Sequence, residues 1–183
     1  MRVITGTARG KKLVTSDGLD VRPTPERVKE AFFSSIQFDI EGKTFLDLFA
    51  GSGQMGIEAL SRGAARAVFV DQSPVSVEHI NQNLKNTGLL DKAKVIRGDY
   101  SAALLGMVDT FDFVFLDPPY AAGILEKALL LVQKNVKPFG LIICEHPKEV
   151  SLPNEVGEFA VKKCYRYGKV YLTVFARKGE ADE

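Results

Sequence analysis

Between residues 45 and 144 the chain alternates short apolar runs with segments of helical spacing, and few folds tolerate that pattern. Five runs recur: Phe45-Leu46-Asp47-Leu48-Phe49, Ala67-Val68-Phe69-Val70-Asp71, Lys94-Val95-Ile96, Phe111–Leu116 and Gly140–Cys144. Each has the length of a buried strand. Helices are expected over about Met55–Arg62, from the capping pair Ser73-Pro74 to about Asn86, and over about Ile124–Lys134. Strands without a polar face, linked by helices, build a parallel α/β sheet covered on both sides. The C-terminal part breaks the alternation. Glu158–Tyr165 and Lys169–Arg177 join through Tyr167-Gly168 with no helix between them. An antiparallel hairpin therefore closes a mostly parallel sheet of seven strands.

Residues 1–22 alternate only weakly, around Val3, Ile4, Gly6, Gly10, Leu13 and Val14, and read as a short β-hairpin arm. Arg22-Pro23-Thr24-Pro25 follows, with Thr24 expected as a helix N-cap and Pro25 at the first helical position. Val28, Ala31, Phe32, Ser35 and Ile36 then keep one apolar face for about three turns. The expected organisation is a basic arm, 1–22, and an α/β domain, 23–183. The 183 residues, 45% hydrophobic and 26% charged, suit one ordinary globule and exclude a disordered, collagen-like or disulfide-stapled chain. No run reaches the roughly 18–20 apolar residues of a bilayer span, so no membrane partner is expected. The start lacks the apolar stretch of a secretory signal, which points to a cytoplasmic address. Cys144 and Cys164 lie outside any CxxC pair, and His79 and His146 are scattered, so free thiols and no metal site are expected.

The net charge of +1, from 24 basic and 23 acidic residues, hides an uneven distribution. Arg2, Arg9, Lys11 and Lys12 stand in the first sixteen residues with no acid among them. Lys162, Lys163, Arg166, Lys169, Arg177 and Lys178 form a second acid-free stretch. Two basic ends around a more acidic body suit contact with phosphates. Solvated strand faces would carry the same charges.

Asp47-Leu48-Phe49-Ala50-Gly51-Ser52-Gly53-Gln54-Met55-Gly56 contains G-x-G-x-x-G between a strand and a helix, and Asp71 ends the next strand. Glycines let a backbone approach a ligand, and an acid at that offset accepts ribose hydroxyls. A tight turn without a ligand would use the same glycines. A dinucleotide would place pyrophosphate at the helix start. Asp47 would repel it, but it suits the ammonium of S-adenosylmethionine, which carries no phosphate. Gly98-Asp99-Tyr100 follows the third strand, where Asp99 could accept from an adenine amine and Tyr100 could flank the ring. An ordinary Gly-Asp turn is the alternative.

Asp117-Pro118-Pro119-Tyr120 follows a buried strand, and its two prolines stiffen the corner. Rigidity fixes the Asp117 carboxylate and the Pro118 carbonyl as a pair of acceptors. An exocyclic amine on a nucleobase is a poor nucleophile, because its lone pair is delocalised into the ring. Holding both its N–H groups favours a pyramidal nitrogen, and such positioning is worth up to ~7–11 kcal/mol at best. Tyr120 offers a stacking face for the target base. A strand-ending turn with a buried tyrosine would also fit the pattern.

These motifs resemble one family. Asp-Pro-Pro-Tyr is similar to the catalytic motif of amino-directed methyltransferases. Arg22-Pro23-Thr24, the Leu46–Gly53 loop, Gly56-Ile57-Glu58-Ala59-Leu60-Ser61-Arg62-Gly63-Ala64 and Phe115–Tyr120 occur together and in that order, after an opening Arg2-Val3-Ile4-x-Gly6 with Arg9-Gly10-Lys11. In combination they resemble the RsmD family, bacterial methyltransferases for guanine N2 in small-subunit (16S) ribosomal RNA, over nearly the whole chain. The resemblance implies a Rossmann-like class I methyltransferase fold. It implies S-adenosylmethionine contacts at Asp47, Ala50, Gly51, Gly53, Asp71 and Asp99, with Phe49, Ser52, Gln72, Tyr100 and Asp117 beside them. Arg22 and Thr24 would sit over the cofactor pocket. Asp117, Pro118 and Pro119 would position the amine and Tyr120 would stack on the base. Arg2, Arg9, Lys11 and Lys12 would touch RNA. Gln54, where a small residue is common, and Asp71, where Glu is frequent, depart from the family pattern. The near-neutral charge favours a partly assembled ribosomal particle over free RNA as substrate. Amino-methylation of DNA adenine or protein glutamine, a dinucleotide oxidoreductase and a silent RNA-binding module are the competing readings.

Overall fold

A computed structural model describes residues 1–17, 23–120 and 123–180. In chain order the elements are α1 (Glu26–Ser35), β1 (Thr44–Asp47), α2 (Gln54–Ser61), β2 (Arg66–Asp71), α3 (Pro74–Thr87), β3 (Ala93–Arg97), α4 (Tyr100–Gly106), β4 (Phe111–Leu116), α5 (Ile124–Leu131), β5 (Val136–Pro147), β6 (Glu155–Val156), β7 (Phe159–Tyr167) and β8 (Val170–Arg177). One sheet runs in the order β3-β2-β1-β4-β5-β8-β7-β6. Strands β1 to β5 are parallel, and β8 pairs antiparallel with β5. The chain leaves β1 toward β2 on one side and reaches β4 on the other. That reversal opens a crevice at the carboxyl ends of β1 and β4, where open sheets bind ligands.

The two faces of the sheet follow strand parity. Phe45, Phe69, Phe113, Phe115 and Ile143 pack with α1, α2 and α3 residues such as Phe32, Ile57 and Ile80. Leu46, Val68, Val114, Leu116 and Ile142 pack on the other side with Leu104 of α4 and Leu129 of α5. The strands look continuously apolar because both of their faces are covered.

Four expectations are corrected. Among the described residues the sheet has eight strands rather than seven, since Glu155–Val156 pairs antiparallel with Phe159 and Ala160. Two residues show no periodicity. Among the described residues the N-terminal hairpin is reduced to one bridge, Arg2 to Lys12. Its surroundings explain this, because the N–H groups of Ile4, Thr5, Thr7 and Ala8 go to α2 rather than across the hairpin. Glu58 accepts from the N–H of Ile4 (3.0 Å) and Thr5 (3.1 Å), and Ser61 Oγ accepts from Ala8 N–H at 3.0 Å. Val3, Ala8 and Leu13 are buried. The buried Glu58 charge is balanced by Arg62 at 2.9 Å and Lys29 at 3.6 Å, as a buried ion must be. Third, Thr24 does not cap α1. The helix starts at Glu26 after Pro25 with no side-chain cap, and the Thr24 hydroxyl donates to Glu145 instead. Fourth, the helix expected to Lys134 ends at Leu131 and tightens into a 3₁₀ turn, Val132–Asn135.

Candidate active site

Parity assembles the site. Asp47 lies level with Phe69 of β2 and Phe115 of β4, and Phe115 lies level with Ile143 of β5. Two residues beyond Phe45, Phe69, Phe115 and Ile143, on the same side of the sheet, stand Asp47, Asp71, Asp117 and Glu145. Asp99 follows β3. Five adjacent strands thus deliver carboxylates in the spatial order Asp99, Asp71, Asp47, Asp117, Glu145 along one edge.

A cavity of about 730 Å³ opens along this edge. Its wall includes Thr24 from just before α1, Asp47, Phe49, Ala50, Gly51 and Ser52 from the end of β1 and the loop after it, and Asp71, Gln72, Asp99 and Tyr100 from the ends of β2 and β3. Asp117, Pro118, Pro119 and Tyr120 close the other end. Of the expected cofactor residues, Gly53 stays out of the wall. It is buried at φ +80°, a left-handed turn, and a Cβ there would meet Phe69 and Ile80 at 3.3 Å. Gly56 also serves packing, since a Cβ on it would lie 2.4 Å from the Phe69 ring. Arg22 lies outside the described residues. Of the expected RNA residues, Arg9, Lys11 and Lys12 are exposed, and Arg2 is held by Glu26 at 2.6 Å.

Each carboxylate is oriented by its neighbours. Asp47 is buried and accepts from Gly56 N–H at 3.1 Å. Burial, reinforced by Asp71 and Glu145, raises its pKa to about 8. Asp71 accepts from Gly51 N–H and Ser73 N–H, both at 2.9 Å, which ties the glycine loop to the tip of β2. Asp99 caps α4 through Oδ2, which accepts from the N–H of Ser101 and Ala102. Its side-chain bond to Ser101 holds its proton affinity down. None of these bonds falls on Oδ1. Tyr100 packs 5.1 Å from Phe49, a tilted aromatic pair on the cavity wall. Asp117 is pushed well above the usual carboxylate range by burial and by the Glu145 and Asp47 charges. Tyr120 is 58% exposed at the mouth.

Three features escaped sequence reasoning. Glu145, buried within β5, is raised to about 7 by burial, against the opposing Thr24 hydrogen bond. A polar pair, Glu145-His146, at the end of an apolar run was its one visible signal. Met1, Thr15 and Ser16 join the cavity wall. Asn83 holds that segment, exchanging hydrogen bonds with Val14 (2.7 and 2.9 Å) and donating to Ser52 O at 2.9 Å. Nothing local in the sequence links positions 14, 52 and 83.

The chemistry of the wall is one-sided. It presents Asp47, Asp71, Asp99 and Asp117 and, among the described residues, no lysine, arginine or histidine side chain. A pyrophosphate would meet these four acids with no basic side chain among the described residues to offset them. A ligand carrying an ammonium and a sulfonium fits this set, and the β2 and β3 acids suit its hydroxyls and amine.

Residues 1–176 match the family described as conserved hypothetical protein 95. The chain is 38% identical to "Putative rRNA methyltransferase YlbH" of Bacillus subtilis, covering 98% of this chain and 100% of that protein. It is 32% identical to the ribosomal RNA small subunit methyltransferase D of Escherichia coli K12, over 100% of this chain and 93% of that one. Among solved structures, "Putative methyltransferase yhhF" from Escherichia coli superposes with a TM-score of 0.87 at 31% identity, covering 97% of each chain. The chain belongs to the RsmD family of methyltransferases.

Proposed function

We propose that this chain transfers a methyl group from S-adenosylmethionine to the exocyclic N2 amine of a guanine in small-subunit ribosomal RNA. The observation that carries the reading is the acid-lined crevice, without a basic side chain among the described residues and closed at its β4 end by Asp117-Pro118-Pro119-Tyr120. The full-length likeness to ribosomal RNA methyltransferases supports the substrate class. The donor supplies an electrophilic methyl on a sulfonium. Asp71 would hold its ribose hydroxyls, Asp99 Oδ1 its adenine amine and Asp47 its ammonium, with Phe49 and Tyr100 flanking the ring. Ala50, Gly51, Ser52 and Gln72 shape the wall between them, and Thr24 roofs it.

On the acceptor side, the Asp117 carboxylate and the Pro118 carbonyl would take the two N–H groups of the target amine. Pro119 keeps the corner rigid, and Tyr120 stacks on a base splayed from its helix, as enzymes acting on base atoms require. The amine loses one proton as the new C–N bond forms. Asp117, with its raised proton affinity, is the acceptor in contact with it. Transfer is direct, with no covalent enzyme intermediate. Burial pushes the Cys144 thiol far up and leaves it inert. Arg2, Arg9, Lys11 and Lys12 of the 1–22 arm would meet phosphates, and the 23–183 domain would carry the chemistry.

The test is methyl transfer from labelled donor to a panel of substrates: ribosomal RNA, small-subunit particles, DNA and protein. Label in guanine of the small-subunit RNA is expected, more from particles than from naked RNA. Label in DNA or protein alone overturns the reading. Equal transfer to naked RNA and particles overturns the preference for particles.

A further inference from the structure

The six cations between residues 160 and 178 are equivalent in the sequence but not in the structure. Arg177 and Lys178, where β8 ends, are neutralised: Arg177 by Glu158 at 2.6 Å and Glu180 at 3.8 Å, Lys178 by Glu155 at 2.6 Å. Lys163 and Lys169 are exposed and form no ion pair among the described residues. Lys163 Nζ sits 4.5 Å from the centre of the Tyr165 ring. A cation over an aromatic face is held in place without losing its charge.

The unpaired end lies at the crevice. Pro147, part of the cavity wall, pairs with Val170, and Lys148 N–H donates to Lys169 O at 3.1 Å. The Tyr167-Gly168-Lys169 turn therefore stands at the carboxyl edge of the sheet, beside the strand that carries Glu145. Tyr165 and Tyr167 pack on the face that also carries the carboxylates, their rings 6.3 Å apart and 5° from parallel. Helix α1 covers this face, and Arg27 in its first turn reaches the hairpin. A Cβ on Gly168 would lie 3.4 Å from Arg27 Nη2, so the guanidinium rests against the turn. Arg27 also forms no ion pair among the described residues.

We propose that Arg27, Lys163 and Lys169, with Tyr165 and Tyr167, form a docking surface for the RNA strand that flanks the target guanine. The inference rests on the ribosomal RNA reading above. The cations hold phosphates at the rim of an acidic crevice that would repel them. The parallel tyrosines offer edges and faces to an unstacked base. Arg27 also lines a second cavity together with Arg2 and Arg9, so the surface adjoins the N-terminal cations, and the two would grip RNA as one basic rim.

The test is binding of small-subunit particles, purified from a strain lacking this gene, over a series of salt concentrations. The Arg27→Ala/Lys163→Ala/Lys169→Ala variant should bind about 10–100-fold more weakly at low salt. Its log–log salt slope should be shallower by about two, the value for three lost phosphate contacts to a single strand. Its affinity for S-adenosylmethionine should match wild type, which also reports an intact fold. Lys178→Ala, at the neutralised end, should leave RNA affinity unchanged. An unaltered affinity and slope in the triple variant overturns the surface, as does an equal loss in Lys178→Ala. If wild type itself has no salt-dependent affinity for the particles, the ribosomal RNA reading fails and the surface with it.

Discussion

The crevice and its rim are neighbours with opposite electrostatics. Inside, four carboxylates face a cavity without a basic side chain among the described residues. At the rim, Arg27, Lys163 and Lys169 stand without an ion pair among the described residues. A net charge of +1 conceals both. Fields of this kind act within about a Debye length, ~8 Å at physiological salt. A protein can therefore present an anionic well to a small cation and a cationic edge to a polyanion at once. On the proposed reading, the segregation would sort the two substrates before any specific contact forms.

The comparison breaks most visibly at Asp117. Replacing it with Ala should lower kcat by about 10²–10³-fold, the scale for losing one positioned polar partner, while donor affinity changes little. Single-turnover kinetics and calorimetry separate the two effects. An unchanged kcat removes the amine-holding role. Asp71→Ala should show the reverse, a donor Kd raised about 10–100-fold with kcat at saturation nearly intact, because a hydroxyl-binding acid would be lost and the glycine loop released.

The pH response sharpens the comparison further. Folding raises the proton affinity of Asp47 from an ordinary 3.8 to about 8. The native state then holds more protons than the unfolded chain between those values, so the ligand-free protein loses stability as pH rises through the window. Glu145, raised from 4.5 to about 7, acts in the same direction. A cationic donor needs the ionised forms, so its affinity should increase from pH 6 to pH 8, with proton release on binding visible in buffers of different ionisation enthalpy. Asp47→Asn keeps an acceptor for Gly56 N–H and should flatten the stability profile while weakening the donor about tenfold. A donor affinity that falls with rising pH contradicts the assignment. The smallest effect is expected at Thr24→Val. It removes the hydroxyl bonded to Glu145 and should cost about 1 kcal/mol in thermal or denaturant unfolding.

Much of this was legible in the sequence because it was local. Strand parity, the glycine loop and the proline corner are each written within a dozen residues, and they place Asp47, Asp71 and Asp117 at one edge. What escaped depends on long-range pairing. Thr24 has the composition of a cap, but the buried Glu145 across the fold competes for its hydroxyl. In the sequence Asp99 reads as a ligand acceptor, and the structure adds that the same carboxylate starts α4, a helix of seven residues that the sequence pattern does not reveal. The Asn83 link between Val14 and Ser52 joins three segments with no shared periodicity. The sorting of the C-terminal cations depended on where Glu155, Glu158 and Glu180 came to lie.

The most direct test is nucleoside analysis of small-subunit RNA after incubation of particles from the gene-deleted strain with purified protein and isotopically methylated donor. The account predicts that the label appears as N2-methylguanosine with wild type and is lost with Asp117→Ala. Label on a ring nitrogen, on another base or on ribose would contradict it, as would full labelling by the variant.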